Sequence, residues 1–407
     1  MSVANVPVLK DQKLIDLFLE RGTDKIYPSP SALKKKLLSG ERIKVYQGFD
    51  PSGPHLHVGH AIGIRALRIL QQLGHEVIFL VGDYTAKVGD PDKETTRKML
   101  TDEEIEKNMA GWKTQAAQLI DFSGKNPVSF ERNYHWLSHL KMEDTIKLMS
   151  NITVQRMLER DLFEKRIKNN EPLYLHEFIY PLLQGYDGVA MKVDLEIGGS
   201  DQTFNMLVGR ELVKSYLGKE KFVRTNRMME AADGRTMSKT KGNGINLADS
   251  PKEMYGKAMA YPDSLIITGL ELLTELTPAE IKECEQAIKN GTNPMEIKKK
   301  LAFEIVRLIK GSTEATEAEQ AFIKTFSLRE TPTDIPKIKA GNEMVILEIL
   351  KTCLKNEYSG SQLRKLITEG AVRLDGEKIQ DLNQKITVKK GGAELKVGKR
   401  KWFRLVN

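Results

Sequence analysis

The chain has 407 residues, 40% of them hydrophobic and 29% charged, and 63 Lys and Arg against 55 Asp and Glu give it a net charge of +8. That length sets an expectation of two or three domains, and the composition excludes a disordered chain. Two cysteines are too few for a disulfide framework or a four-cysteine zinc site, while the positive balance asks for an anionic partner such as RNA, a nucleotide or a membrane surface.

Residues Met1 to Asp11 show no basic stretch leading into an apolar one, so no secretory signal is expected. No apolar run approaches the length of a membrane span, and the cysteine usage fits a reducing cytoplasm.

The first strong elements begin at Ile43-Lys44-Val45-Tyr46-Gln47, which reads as a strand. A turn-rich loop, Gly48-Phe49-Asp50-Pro51-Ser52-Gly53-Pro54, leads to His57-Val58-Gly59-His60. A helical run from Ile62 to Leu73 is stopped by Gly74, and Val77-Ile78-Phe79-Leu80-Val81 is an apolar strand ending at Gly82. This strand–loop–helix–strand order predicts a parallel α/β sheet with a loop at the carboxyl end of its first strand, where such sheets bind ligands.

His57 and His60 lie three apart at a helix start, so they share a face and add ring N–H donors to the open backbone N–H groups there. That arrangement suits a phosphate, above all one gaining charge in a transition state. Gly59 leaves room for a nucleotide to approach the backbone. No third ligand stands at a zinc-binding spacing.

Further along, the segment from Asp233 to Gly244 holds three glycines, small hydroxyl residues, Lys239 and Lys241. It reads as a flexible loop able to lay ammonium groups on a triphosphate, without the spacing of a P-loop. Residues 277–325 are helix-rich. Ile297, Leu301, Ile305 and Leu308 form an apolar stripe ended by Gly311, which predicts bundle core. Thr331-Pro332-Thr333-Asp334-Ile335-Pro336 reads as a linker.

The charge is concentrated at the end. Residues 341–407 carry 14 Lys and Arg against 8 Asp and Glu, so six of the eight net charges lie in the last sixth of the chain. The segment is patterned as a fold: Leu363, Leu366 and Ile367 at helical spacing, Gly370 as a stop, then Ala371-Val372-Arg373-Leu374 and the tight turn Asp375-Gly376. Alternating stretches follow at 385–388 and 394–397, and at Lys401-Trp402-Phe403-Arg404-Leu405-Val406. Basic residues interleaved with aromatics on a small domain predict an RNA platform.

His-x-Gly-His after a first strand, with Met237-Ser238-Lys239 about 180 residues later, resembles the class I aminoacyl-tRNA synthetases. Four blocks narrow the resemblance: Tyr46 to Pro51; Gly82-Asp83-Tyr84-Thr85 leading to Val88-Gly89-Asp90-Pro91; Tyr180-Pro181-Leu182-Leu183-Gln184-Gly185-Tyr186-Asp187; and Gly198-Gly199-Ser200-Asp201-Gln202. These look like the tyrosyl-tRNA synthetase family, and the segment from Leu363 to Gly376 is similar to the S4 RNA-binding fold.

The resemblance implies three domains: a Rossmann-like parallel-sheet catalytic domain with a helical insertion (1–245), an α-helical anticodon-binding domain with linker (246–335), and a small α+β S4-like domain (336–407). It implies that tyrosine is activated with ATP, in the company of Mg2+, to tyrosyl-adenylate and pyrophosphate, and then passed to the 2′-hydroxyl at the 3′ end of tRNA(Tyr). No metal is expected on the protein itself, and neither DNA nor membrane is an expected partner. A homodimer is implied by the family alone.

By the same resemblance, Tyr46 and Asp187 read the tyrosine hydroxyl. Asp90, Tyr180 and Gln184 hold its ammonium group, and Gln202 lines that pocket. Asp50 stands near the junction of amino acid and nucleotide, and Asp201 contacts the ribose. His57, His60 and Lys239 would stabilise the transition state, with Gly59 against the nucleotide. A site built to hydrogen-bond a substrate hydroxyl rejects the analogue lacking it without editing, and this family is the standing example.

Lys93 and Arg97 read as solvated charges. Thr236 replaces the lysine that usually opens the signature loop, and Thr240 its final serine, so Arg235 or Lys241 is expected to supply part of the missing charge. Glu196 stands where some relatives have glutamine. A tryptophanyl-tRNA synthetase would share the nucleotide motifs but have little use for Tyr46 with Asp187. The retained His57, His60, Asp187 and Lys239 argue against a non-catalytic RNA-binding protein on the same scaffold.

Overall fold

The computed structural model describes residues 6–90, 99–230, 244–324, 335–340, 343–354, 357–388, 392–398 and 401–406. The chain forms two compact units, Met1–Glu319 and Gln320–Asn407.

In the first unit, helix α1 (Gln12–Glu20) and helix α2 (Pro30–Leu38) flank the edge strand β1 (Thr23–Tyr27). Strand β2 (Lys44–Phe49), helix α3 (Val58–Gln72) and strand β3 (Glu76–Val81) follow, then β4 (Ser129–Arg132), β5 (Leu195–Gly199) and β6 (Phe222–Asn226). The sheet order is β1-β6-β5-β2-β3-β4, with β1 antiparallel to β6 and every other pairing parallel. The five apolar residues Val77–Val81 are all buried, as a central parallel strand covered on both faces requires.

From the centre, β2–α3–β3 steps one way along the sheet and β5–β6 the other, through the helix Thr203–Leu217. Right-handed crossovers running in opposite directions put their helices on opposite faces and leave a crevice at the carboxyl ends of β2 and β5. The helix Tyr180–Ala190 packs along Thr203–Leu217.

The rest of this unit is helical. Thr101, Ser250 and Thr277 open their helices with capping boxes, and proline follows directly at Pro251 and Pro278. The helix Pro294–Lys310 buries Leu301, Ala302, Ile305, Val306 and Ile309. Ile309 thus takes the core place expected for Leu308. Three residues on from Ile305, Leu308 falls at the rim of the stripe, whereas a four-residue step keeps Ile309 on its axis. No helix among the described residues is long and apolar enough to cross a membrane.

The second unit is a small α+β fold. Its five strands run β10 (Glu377–Ile379), β9 (Val372–Leu374), β12 (Ala393–Val397), β13 (Lys401–Val406) and β7 (Lys337–Lys339), beside a two-stranded pair of β8 (Met344–Val345) and β11 (Lys385–Ile386). Ile346, Ile349, Leu350, Leu363 and Ile367 from two helices meet Leu395, Phe403 and Leu405 in its core. Alternation along β13 sends Phe403 and Leu405 inward and leaves Arg404 exposed. The register aligns Lys378, Arg373, Lys396 and Trp402 across four neighbouring strands, and the Lys396 ammonium lies 4.3 Å from the Trp402 ring centre.

Both cysteines are free: Cys284 is buried in the first unit, and burial pushes the thiol of half-buried Cys353 up to about 11.

Candidate active site

The crevice is lined from both sides of the switch in strand order. After β2 the chain passes Asp50 and reaches His57, which caps α3. His57 is buried, its ring centre 3.8 Å from that of His60. The His57 backbone N–H donates to His60 Nδ1 at 3.0 Å, which puts the ring proton of a neutral His60 on Nε2. The helix start therefore presents two imidazoles, with Gly59 half-buried between them. Backbone pairing brings a second segment to the same spot. Val58 N–H donates to Ile245 O at 2.9 Å, and Leu247 N–H to Leu56 O at 2.8 Å. Lys239, with Arg235, Thr236, Thr240 and Lys241, lies outside the described residues, as do Lys93 and Arg97.

Asp50 is held between two hydroxyls, accepting from Thr85 Oγ1 and from the Tyr180 hydroxyl, each at 2.8 Å. Gly82, at the end of β3, makes this possible, because a Cβ there would run into both Asp50 Oδ1 and Thr85 Oγ1.

Deeper in the crevice, Asp187 is buried, and its two oxygens accept from Trp136 Nε1 at 2.7 Å and Asn133 Nδ2 at 3.2 Å. Burial raises its carboxyl well above the usual range. The Trp136 and Asn133 hydrogen bonds pull it back, while the nearby Glu196 and Asp50 charges push it further. Tyr46, on β2, is buried, with its hydroxyl against the Glu196 carboxylate. Burial first, then the Glu196 and Asp187 charges, raise that phenol well above its ordinary value.

A third group sits toward the mouth. Asp90 is buried and accepts from Arg160 Nη2 and Gln202 Nε2, each at 2.7 Å. Asn205 Nδ2 lies 3.1 Å from Gln202 Oε1 and 3.0 Å from Gln184 Oε1, while Gln184 Nε2 donates to Glu196 Oε1 at 3.1 Å. Asp201 is exposed beside this group, 3.4 Å from Gln202 Nε2. Tyr46, Asp50, His57, Gly59, His60, Asp90, Tyr180, Gln184, Asp187, Asp201 and Gln202 are thus gathered on the loops and helices around β2, β3 and β5. Asn133, Trp136, Arg160 and Asn205 were missed from sequence. Asn133, Trp136 and Arg160 are tied to the site by partners more than 50 residues away in sequence, whereas Asn205 joins its neighbour Gln202 to Gln184.

The crevice thus sets the buried Tyr46 and Asp187 beside the polar group of Asp90, Gln184 and Gln202, with the two histidines at the start of α3. The profile of the tRNA synthetases class I (W and Y) matches residues 38–327. The tyrosine–tRNA ligase of Thermotoga maritima is 42% identical over 89% of this chain and 90% of its own length. That of Geobacter sulfurreducens is 39% identical over the whole of this chain and 99% of its own. Among solved structures, a C-terminally truncated mitochondrial tyrosyl-tRNA synthetase from Coccidioides posadasii matches with a TM-score of 0.62 and 25% identity, over 75% of this chain and 91% of that one. Fold and profile together define a class I tRNA synthetase. Within that class, the chain belongs to the tyrosine–tRNA ligases.

Proposed function

We propose that the chain activates L-tyrosine with ATP and transfers the tyrosyl group to the 3′-terminal adenosine of tRNA(Tyr), using the crevice between β2 and β5 for both steps. The observation that carries the choice of amino acid is the pairing of a buried Tyr46 hydroxyl with the nearby buried Asp187 carboxyl group. A phenol entering there finds an acceptor in Asp187 and a donor in Tyr46.

Asp90 and Gln184, with Tyr180 bound to Asp50, take the ammonium end, and Gln202 braces Asp90. The tyrosine carboxylate then attacks the α-phosphorus in line and expels pyrophosphate, so the protein needs no nucleophile of its own. His57 and His60, with Lys239 seven residues before Asn246 (the bridge partner of His57), take the charge developing on the phosphates. Asp50 and Asp201 serve the ribose side. Mg2+ enters as the counter-ion of ATP, neutralising phosphate oxygens.

The second unit fits tRNA. Lys378, Arg373 and Lys396 are neighbours across strands, a row of like charge that is unfavourable alone and relieved by a polyanion. The helical segment 246–335 is assigned to the anticodon side of tRNA. A homodimer fits the helix Met142–Met149, whose Met142, Ile146 and Met149 share one exposed face at 75%, 60% and 47%. A tRNA partner and two free cysteines favour the cytoplasm.

Amino-acid-dependent ATP–pyrophosphate exchange tests the reading. Exchange with tyrosine is expected, and exchange with tryptophan but not tyrosine would overturn it.

A further inference from the structure

Lys221 has no exposed surface, and its ammonium pairs with the Glu196 carboxylate, itself buried. An ammonium is among the costliest groups to take out of water, and the fold provides a fitted place for this one. A Cβ at Gly209, in the helix Thr203–Leu217, would stand 2.6 Å from Lys221 Nζ and 3.0 Å from the Gly185 Cα on the facing helix. A Cβ at Gly188, one turn on from Gly185, would lie 3.6 Å from the Lys221 Cδ. Glycines on the two helices that wall the crevice thus make a niche for one lysine.

The other end of the pair lies in the amino-acid pocket. Glu196 sits opposite Tyr46 in the register of β5 against β2, and its second oxygen accepts from Gln184. One carboxylate therefore meets both the residue proposed to read the substrate hydroxyl and one proposed to hold its ammonium group. An ion pair this deep adds little stability over neutral side chains of the same shape, whereas removing one partner strands a charge.

We propose that Lys221 is a positioning residue for tyrosine recognition, fixing the Glu196 carboxylate where it orients Gln184 and Tyr46. The proposal rests on the reading of this crevice as the tyrosine site.

The test is a double-mutant cycle of Lys221→Met, Glu196→Gln and both together. Exchange assays give KM for tyrosine and for ATP separately, and thermal melts report folding. Each single variant is expected to raise the tyrosine KM about tenfold while the ATP KM stays within about twofold. The double variant should return the tyrosine KM to within about threefold of the parent. If Lys221→Met does not fold, Glu196→Gln against the double variant carries the same comparison. A double variant no better than its singles, or singles that lower the melting temperature and leave the tyrosine KM alone, would overturn the proposal. A parent enzyme inactive with tyrosine would instead overturn the reading of the pocket.

Discussion

In the proposed function, single side chains at the bottom of the crevice decide which amino acid fits. Tyr46→Phe removes one donor to the substrate hydroxyl and leaves the packing in place. Such a hydrogen bond is worth on the order of 1 kcal/mol, so tyrosine kcat/KM should fall about fivefold. Phenylalanine kcat/KM, measured in the same exchange assay, should stay constant; equal losses for both substrates would mean a packing defect. Away from the site, His75 is fully buried, and Ile43 N–H donates to its Nδ1 at 3.4 Å. Burial, with Arg42 nearby, lowers its pKa from 6.5 to about 4. The unfolded chain takes up a proton below about 6.5 that the folded chain refuses until about 4. Stability is therefore full above 6.5 and falls as pH drops through that window, by about 3 kcal/mol at most. Urea titrations should show this slope in the parent and a flatter one in His75→Gln.

At the level of elements, the site depends on how closely strand ends and helices approach. Gly82→Ala drives a methyl group into Asp50 and Thr85, so exchange should drop about tenfold or more. The accompanying loss of stability, read from a denaturant midpoint, should be about 1–3 kcal/mol. Much of this level was legible in the chain. Val45 to Gly82 is a local unit in which apolar alternation, a turn-rich loop and a helix stop all agree, so strand, loop and helix could be placed. The tight turn at Asp375-Gly376 was equally plain. Trp136 and Asn133 were not legible, because their value lies in meeting Asp187, more than 50 residues on. Lys221 looked like one of many lysines, since only the packing of two glycine-bearing helices makes it a buried cation. The edge strand β1 was missed for a related reason: Thr23-Asp24-Lys25-Ile26-Tyr27 has little apolar pattern, and its order comes from pairing with β6.

For the molecule as a whole, the proposed function assigns small-molecule chemistry to the first unit and a large polyanion to the second. Removing residues 341–407 should leave tyrosine-dependent pyrophosphate exchange within about twofold of the parent and lower tRNA charging by about a hundredfold, close to 3 kcal/mol. Equal loss of both activities, compared in one preparation, would show that the units do not work separately. The intact chain also offers a practical opening in its two thiols. Cys284 is shut away from reagents, and Cys353 is almost entirely protonated near neutral pH, when only thiolates react quickly. A single cysteine introduced on an exposed position, such as Lys378, should therefore accept a maleimide dye against a nearly silent background. That one added cysteine, with both native ones left in place, would then serve directly for fluorescence reporting of tRNA arrival.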